Sequence, residues 1–331
     1  MNAMNYTKLE SRLLERSGLV IFTVAIVARL ANLLSIEDIG EFALAEDSPI
    51  YWQGAKAWLD AGYFSRATSS GYVLETERVP LYHLFLVPFR WAFGELLAPT
   101  LVVQSIVDAY TCVMIAKLCG KKRLKMGLVA GILAAVWPNL IIHSQFIFGD
   151  TLFVFLFTTF LYFVVRFTET GHWSALLFAG FFCGLAIMTR SVALFVPFIA
   201  AVAAPIVLWR VHGRCLPGIA AALAMVFAVL LVLSPLLWRN VTQFGTYQLT
   251  SQGGSHFLNW VVGYAVGLEE GKPFDQATRE IQERLRTKLK RQSRKHLTEI
   301  GPFESSATQM EHVFEELENI SVSTLAKAWF F

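Results

Sequence analysis

The sequence predicts an all-α, polytopic integral membrane protein, and three observations carry that reading. Of 331 residues, 55% are hydrophobic, 27 are Phe and only 16% are charged, where a soluble domain would carry about a quarter charged residues. Seven stretches, near 18–36, 98–119, 126–142, 151–167, 173–189, 192–209 and 216–238, approach the ~20 apolar residues a helix needs to cross a bilayer. The basic residues also alternate between the ends of these stretches as membrane topology demands.

Each span is read as a helix because a backbone in lipid must satisfy its polar groups within the segment. Lys8, Arg12 and Arg16 precede the first span, and Lys121, Lys122, Arg123 and Lys125 fill the second connection. Arg166 follows the fourth span, and Arg210 and Arg214 follow the sixth. By the positive-inside rule these ends and the N-terminus are cytoplasmic. The connections 37–97, 143–150, 190–191 and 239–324 then face outward. That parity requires the apolar run Leu81–Phe93, with Pro80, Pro88 and Arg90, to lie along the surface as a juxtamembrane helix.

The N-terminal span admits a cleaved signal peptide, since Ala43-Leu44-Ala45 fits an A-x-A site. Its length and Arg29 favour a retained anchor. Cys112, Cys119, Cys183 and Cys215 lie in or beside apolar spans, so neither a disulfide framework nor a zinc site is expected. No phosphate-loop or dinucleotide fingerprint occurs. No nucleic-acid partner is expected, and membrane lipids are.

The chemistry-bearing residues collect in the outward connections. Asp47 opens a polar segment just beyond the first span, and a carboxylate held at a membrane surface can do acid–base work on a lipid-borne substrate. Its bland alternative is a solvated acidic loop with Glu46 and Asp60. Arg190, between spans five and six, and Arg239, closing span seven, stand on the outward side against the charge rule. Interfacial snorkelling would explain one of them. Two, joined by Arg78, suit bidentate recognition of a lipid-linked phosphate.

These residues also form a series. Asp47 and Tyr51 are followed by AKAWLDAG at 55–62, then by Arg78, Pro80 and Tyr82. Trp137-Pro138 and Gly149-Asp150-Thr151-Leu152-Phe153 come next, then GFFCGLAIMTR at 180–190. Trp238-Arg239-Asn240, Phe244-Gly245 and Ser251-Gln252-Gly253-Gly254 close the series. In that order, over roughly residues 15–265, the chain resembles the bacterial membrane glycosyltransferases of the C superfold, of the aminoarabinose transferase and protein O-mannosyltransferase type. Where the family usually has Pro after the arginine of the fifth span, Ser191 stands here. The family's remaining spans and distal outer domain are not in this sequence, so it resembles a C-terminally shortened member.

The resemblance implies a glycosyltransferase, hexosyl or pentosyl, of the bacterial inner membrane. A sugar on polyprenyl phosphate would pass to a lipid, glycan or protein acceptor on the outer side. It makes Asp47 the base or acceptor-orienting group and Asp150 a second catalytic or acceptor-contacting carboxylate. An acidic residue at a helix start is also favoured by the macrodipole alone. Arg190, Arg239 and Arg78 would neutralise the donor phosphate. Asn240 belongs to the Arg-Asn element, and Tyr51 and Tyr82 would line the sugar pocket unless they are simply aromatic-belt residues. Glu46, Asp47 and Asp150 could jointly hold a divalent cation, and metal dependence is left open. The glycines Gly253-Gly254 are read as a tight turn.

The expected domains are a glycosyltransferase-like membrane domain at 1–265 and a basic helical segment at 266–331. The latter contains a helix over 275–297 with Ile281, Leu285 and Leu289 near one side, read as solvated or lying on headgroups. An eighth span is expected to begin at Leu325. The rival class is a transporter or flippase, which would explain Arg29, but no internal repeat supports it.

Overall fold

A computed structural model describes residues 3–120, 123–213, 216–292 and 295–329, with side chains from residue 16 onward except those of His212 and Trp329. Lys121, Lys122, Arg214, Cys215, Phe330 and Phe331 lie outside the described residues, as do the side chains of Lys8 and Arg12. The fold is an α-helical membrane bundle. Five described helices are long and apolar enough to cross a bilayer: Arg16–Leu34, Ala98–Leu118, Asp150–Thr170, Ser191–Val211 and Leu216–Phe244. Leu124–Ala135 and Trp173–Thr189 are shorter apolar helices.

The chain divides into two compact units, residues 1–75 with 79–234, and residues 76–78 with 235–331. In the first unit, α1 (Ala3–Leu34) is followed by α2 (Ile39–Ala43) and α3 (Ser48–Ala61). A two-stranded antiparallel hairpin comes next, β1 (Ser65–Thr68) against β2 (Gly71–Leu74), with Ser65 opposite Leu74. Helix α4 (Leu81–Phe93) has the extent expected of the juxtamembrane run. Then come α5 (Ala98–Leu118), α6 (Leu124–Ala135), α7 (Pro138–His143), α8 (Asp150–Thr170), α9 (Trp173–Thr189) and α10 (Val196–His212), the last entered through a 3-10 turn at Ser191–Phe195. Helix α11 (Leu216–Phe244) runs from the first unit into the second and contains Pro235.

The third expected span, 126–142, is not one helix. Pro138 has no amide hydrogen to continue α6, and it pushes the preceding Trp137 into an extended backbone at φ −69° and ψ 118°. The chain therefore breaks into α6 and α7. A break inside a bundle orphans carbonyls, and Arg29 of α1 repairs this one: its Nη1 donates to the Ala135 carbonyl at 2.9 Å.

Arg29 is fully buried and ion-paired with Asp108 of α5. Its Nη1 also donates to the Ala25 carbonyl at 3.0 Å. Gln145 extends the polar network, its Nε2 donating to Ser105 Oγ at 3.2 Å and to Ser144 Oγ at 2.9 Å. A charge inside a membrane is costly unless it is paired, and here Arg29 is paired across α1 and α5 and bonded to α6 through the Ala135 carbonyl. Asp108 is the partner that reading Arg29 alone leaves unnamed. It is the one acidic residue within 98–118, and that isolation is the signal that could have found it.

Helices in lipid associate through close backbone approach at small residues. Gly180 of α9 shows this, since a Cβ there would stand 2.2 Å from the Met225 carbonyl oxygen of α11. This gives a physical reason for the Gly-rich fifth span.

In the second unit, α12 (Gly253–His256) leads through a π-helical turn at Phe257–Val262 into α13 (Gly263–Glu270). Helices α14 (Phe274–Arg291), α15 (Pro302–Glu318) and α16 (Val322–Trp329) complete a small bundle. Its core is Leu258, Val262, Ala265, Val266, Ala277, Ile281, Leu285, Leu289, Val313 and Ile320. The basic helix thus departs from its expected solvated or headgroup-bound state: its apolar stripe is core. Two of its cations are paired within the bundle, Arg284 with Glu270 and Glu316, and Lys288 with Glu315. The hydrogen bond from Arg284, then that from Lys272, lowers the Glu270 carboxyl below the ordinary range. A depressed carboxylate stabilises the fold above its unfolded pKa. That contribution is lost as pH falls through the lowered value, so it survives mild acid and fades only below the ordinary carboxylate range.

The bundle starts at residue 253 and the units divide at 234/235, upstream of the expected 265/266 boundary. Leu325 and Ala328 of α16 pack against the bundle core.

Gly254 lies in helix α12 instead of a turn. Its amide donates to Ser306 Oγ at 2.9 Å, and an added Cβ would stand 2.1 Å from the Ser306 carbonyl oxygen. Gly254→Val must therefore push α12 off α15, at a cost of about 1–3 kcal/mol or more. Hydrogen exchange over 302–318 should rise in that variant; unchanged protection would refute this account of the glycine.

Candidate functional site

The candidate site in the first unit is built at one end of α8 and α9. Loop 144–149 is anchored there by several contacts. The Ile147 amide donates to the Ala43 carbonyl at 3.0 Å, and Phe146 stacks on Phe42 at 4.8 Å between ring centroids. These contacts bind the loop before Asp150 to the end of α2, ahead of Asp47.

Between Ala43 and α3 the chain turns sharply. Glu46 adopts φ 53°, the one described residue other than glycine with a positive φ. Such a conformation costs an L-residue roughly 1–2 kcal/mol. It delivers Asp47 to the N-cap position of α3, where its side chain makes no capping hydrogen bond. Pro49 suits the first turn of α3 because its missing amide hydrogen would have been unpaired there anyway. Asp47 is exposed, and Tyr51 follows one helical turn later on the same face.

Tyr51 packs edge-on against Tyr82 at 5.2 Å and against Phe148 at 6.5 Å, and leans on His83 at 5.3 Å. Tyr82 is fully buried, and its hydroxyl donates to Gln104 Oε1 at 2.6 Å. Gln104 Nε2 in turn donates to the carbonyls of Phe146 and Ser144 at 2.8 and 3.1 Å. Burial, reinforced by Tyr51 and Asp150, pushes the Tyr82 hydroxyl well above the ordinary phenol range, so it stays protonated as a donor. Its polar atom is occupied, and its ring forms the floor under Tyr51, with Gly149 beside it.

Asp150 begins α8 and is partly exposed. It is ion-paired with Arg190, which stands at the end of α9 in extended backbone with a side chain 44% exposed. A guanidinium has five donors in a fixed fork, and the Asp150 bond engages Nη1. The structure therefore assembles Asp150, Arg190, Tyr82 and Tyr51, with Asp47 one turn from Tyr51.

A second group lies in the second unit. Arg239 is partly buried, its Nε and Nη2 donating to Asn240 Oδ1 at 2.9 and 2.7 Å. Asn240 is fully buried, and its Nδ2 donates to the Gln248 and Leu249 carbonyls at 2.6 and 3.2 Å. Its amide is thus fully used in orienting Arg239 and pinning 248–249. Arg78, partly buried, follows Thr76, which accepts the Ser251 amide at 2.7 Å and meets the Ser251 hydroxyl at 3.0 Å. The Arg-Asn and Ser-x-Gly-Gly elements thus have local structural work as well.

No group of three His, Cys, Asp or Glu side chains that could hold a metal ion occurs among the described residues. Glu46, Asp47 and Asp150 are accordingly not gathered into a cation cage. The Arg29–Asp108 pair and the Gln104–Gln145 network were not part of the sequence-predicted site. They support it from beneath, through Tyr82 and the 144–146 carbonyls.

A bundle of membrane-length helices, with carboxylates and an ion-paired arginine at one end, defines a polytopic membrane protein with a polar site at its boundary. Residues 78–238 match the family model of dolichyl-phosphate-mannose-protein mannosyltransferases. That match supports a membrane glycosyltransferase of the C superfold that uses a polyprenyl-phosphate-linked sugar. It includes Arg78, Tyr82, Asp150 and Arg190, begins after Asp47 and Tyr51, and ends one residue before Arg239. No curated protein and no solved structure matches the chain.

Proposed function

We propose that the chain transfers a sugar from a polyprenyl-phosphate donor to a lipid, glycan or protein acceptor on the outer side of a bacterial inner membrane. The observation that carries the reading is the Asp150–Arg190 pair beside the Tyr82 floor, inside the segment that matches the mannosyltransferase family model. The acceptor hydroxyl or amine attacks the anomeric carbon, the bond from that carbon to the phosphate oxygen breaks, and the lipid phosphate departs with the electron pair.

Asp47 takes or orients the acceptor proton, since a general base must lie within hydrogen-bond reach of the nucleophile and Asp47 is exposed one helical turn before Tyr51. Arg190 meets the phosphate charge that grows as the bond breaks, and Asp150 holds its guanidinium in place until then. Arg239, aimed by Asn240, and Arg78 are the further cations for the donor phosphate. Tyr51 offers the half-buried aromatic wall of a sugar pocket. Any divalent ion would need ligands from the donor phosphate as well as from single carboxylates here, so no step is assigned to one.

The transporter reading draws on the intramembrane charge of Arg29. That charge is fully buried, ion-paired and spent on a helix break, so it offers a transport path no open group.

Mass spectrometry of lipids copurifying with wild type, Asp47→Asn and Arg190→Ala tests the proposal. The expected result is a polyprenyl-phosphate sugar enriched on Asp47→Asn, which binds donor without turnover, and at least tenfold depleted on Arg190→Ala. Absence of such a lipid from all three would sink the transferase reading and favour the transporter.

A further inference from the structure

The second unit carries a groove of about 870 Å³ lined by Phe257, Trp260, Val261, Tyr264, Phe274 and, from α15 and α16, Leu317, Leu325 and Ala328. Among the described residues no charged side chain lines it. Phe257 is 48% exposed, Trp260 63% and Val261 43%, although the core of the same bundle lies directly beneath them. The π-helical turn at Phe257–Val262 widens the helix there, and such bulges recur at functional positions. Trp260 also stacks on Phe274 at 5.5 Å, which fixes the aromatic wall in place.

We propose that this aromatic groove docks onto the surface of the bilayer, so that the bundle of residues 253–329 is an interfacial domain. The continuity of the chain supplies the occupant. The same compact unit includes the last turns of the membrane-length helix α11, and Phe244 at its end packs on Phe303 of α15 at 5.2 Å. The bundle is therefore fixed at the point where a spanning helix leaves lipid. Trp and Tyr favour that depth, where an apolar ring body and a polar edge are both satisfied. An apolar face held there gains by entering the acyl boundary. This assignment goes beyond sugar transfer and does not depend on it.

The test uses the full chain in phospholipid nanodiscs, with its native cysteines replaced by serine or alanine. A nitroxide is placed at Val261→Cys, at Phe257→Cys as a second groove position, or at Glu283→Cys on exposed α14. Oxygen partitions into lipid and a nickel chelate into water, so collision rates report depth. Both groove labels should collide more with oxygen than with the nickel chelate, and the Glu283 label should do the reverse. Groove labels as open to the nickel chelate as the Glu283 label would overturn the proposal. Labels shielded from both reagents would overturn it too, by showing that protein covers the groove.

Discussion

Asp108→Ala should be among the most destabilising single substitutions in this chain, at about 3–5 kcal/mol, because it strands Arg29 in the bundle without its counter-ion. Removing one partner of a buried pair costs far more than the pair contributes, since the remaining charge has no water to return to. Arg29 cannot turn away, because its Nη1 already serves the Ala25 and Ala135 carbonyls. The double variant Arg29→Met with Asp108→Leu should recover much of the loss, because no charge is then buried. It should not recover all of it, since the Ala135 carbonyl at the end of α6 would lose its donor, at about 1–3 kcal/mol. Thermal stability of the detergent-purified protein by fluorescence-detected size exclusion checks the order wild type, double, single. If the single variant melts with wild type, the pair is not holding α1, α5 and α6 together.

The same network explains which parts of the molecule were legible in the sequence. Spans, the juxtamembrane helix and the glycine-lined helix crossings follow from local composition, and lipid removes most alternatives to a helix. Pro138 was equally legible, but a count of apolar residues runs through it, so the break of the third span was not anticipated. The second unit is hard to read in the sequence for a related reason. Ile281, Leu285 and Leu289 make a stripe too thin to announce burial, and only packing against α13 and α15 turns it into a core. Charges drew attention to α14 as basic, while their partners Glu270, Glu315 and Glu316 sit 14 to 32 residues away in sequence.

The site shows the same division. Asp47, Asp150 and Arg190 stand out by residue type and order, because rare charges at the ends of apolar spans are conspicuous. The join between Asp150 and Arg190 spans 40 positions and was not legible. Nor were the roles of Tyr82 and Asn240, whose polar atoms turn inward to Gln104 and to the 248–249 carbonyls. Both hold other site residues in position, and sequence order alone cannot separate a residue that touches substrate from one that aims its neighbour.

Asp47→Asn should then cut sugar transfer by about 10²–10⁴-fold, the usual contribution of a positioned general base, while leaving the fold intact. Asparagine keeps the shape and hydrogen-bonding reach of the side chain but cannot accept a proton. Because Asp47 is exposed and asparagine keeps its size and shape, the melting temperature should stay close to wild type. The loss should fall on kcat, with KM for the donor nearly unchanged, since the arginines proposed to hold the donor phosphate are untouched. Asp60→Asn is the control on the same helix. Asp60 is tied to Lys56 Nζ at 2.6 Å and to the Tyr72 hydroxyl at 2.8 Å, a surface network with no part in the site, and its variant should keep at least half of the activity. Transfer is measured with the donor lipid identified on the Asp47→Asn protein. A kcat for Asp47→Asn above a tenth of wild type would remove Asp47 from proton transfer. Asp150 would then be the remaining carboxylate within the assembled site, and freeing it would require breaking its pair with Arg190 as the donor phosphate arrives.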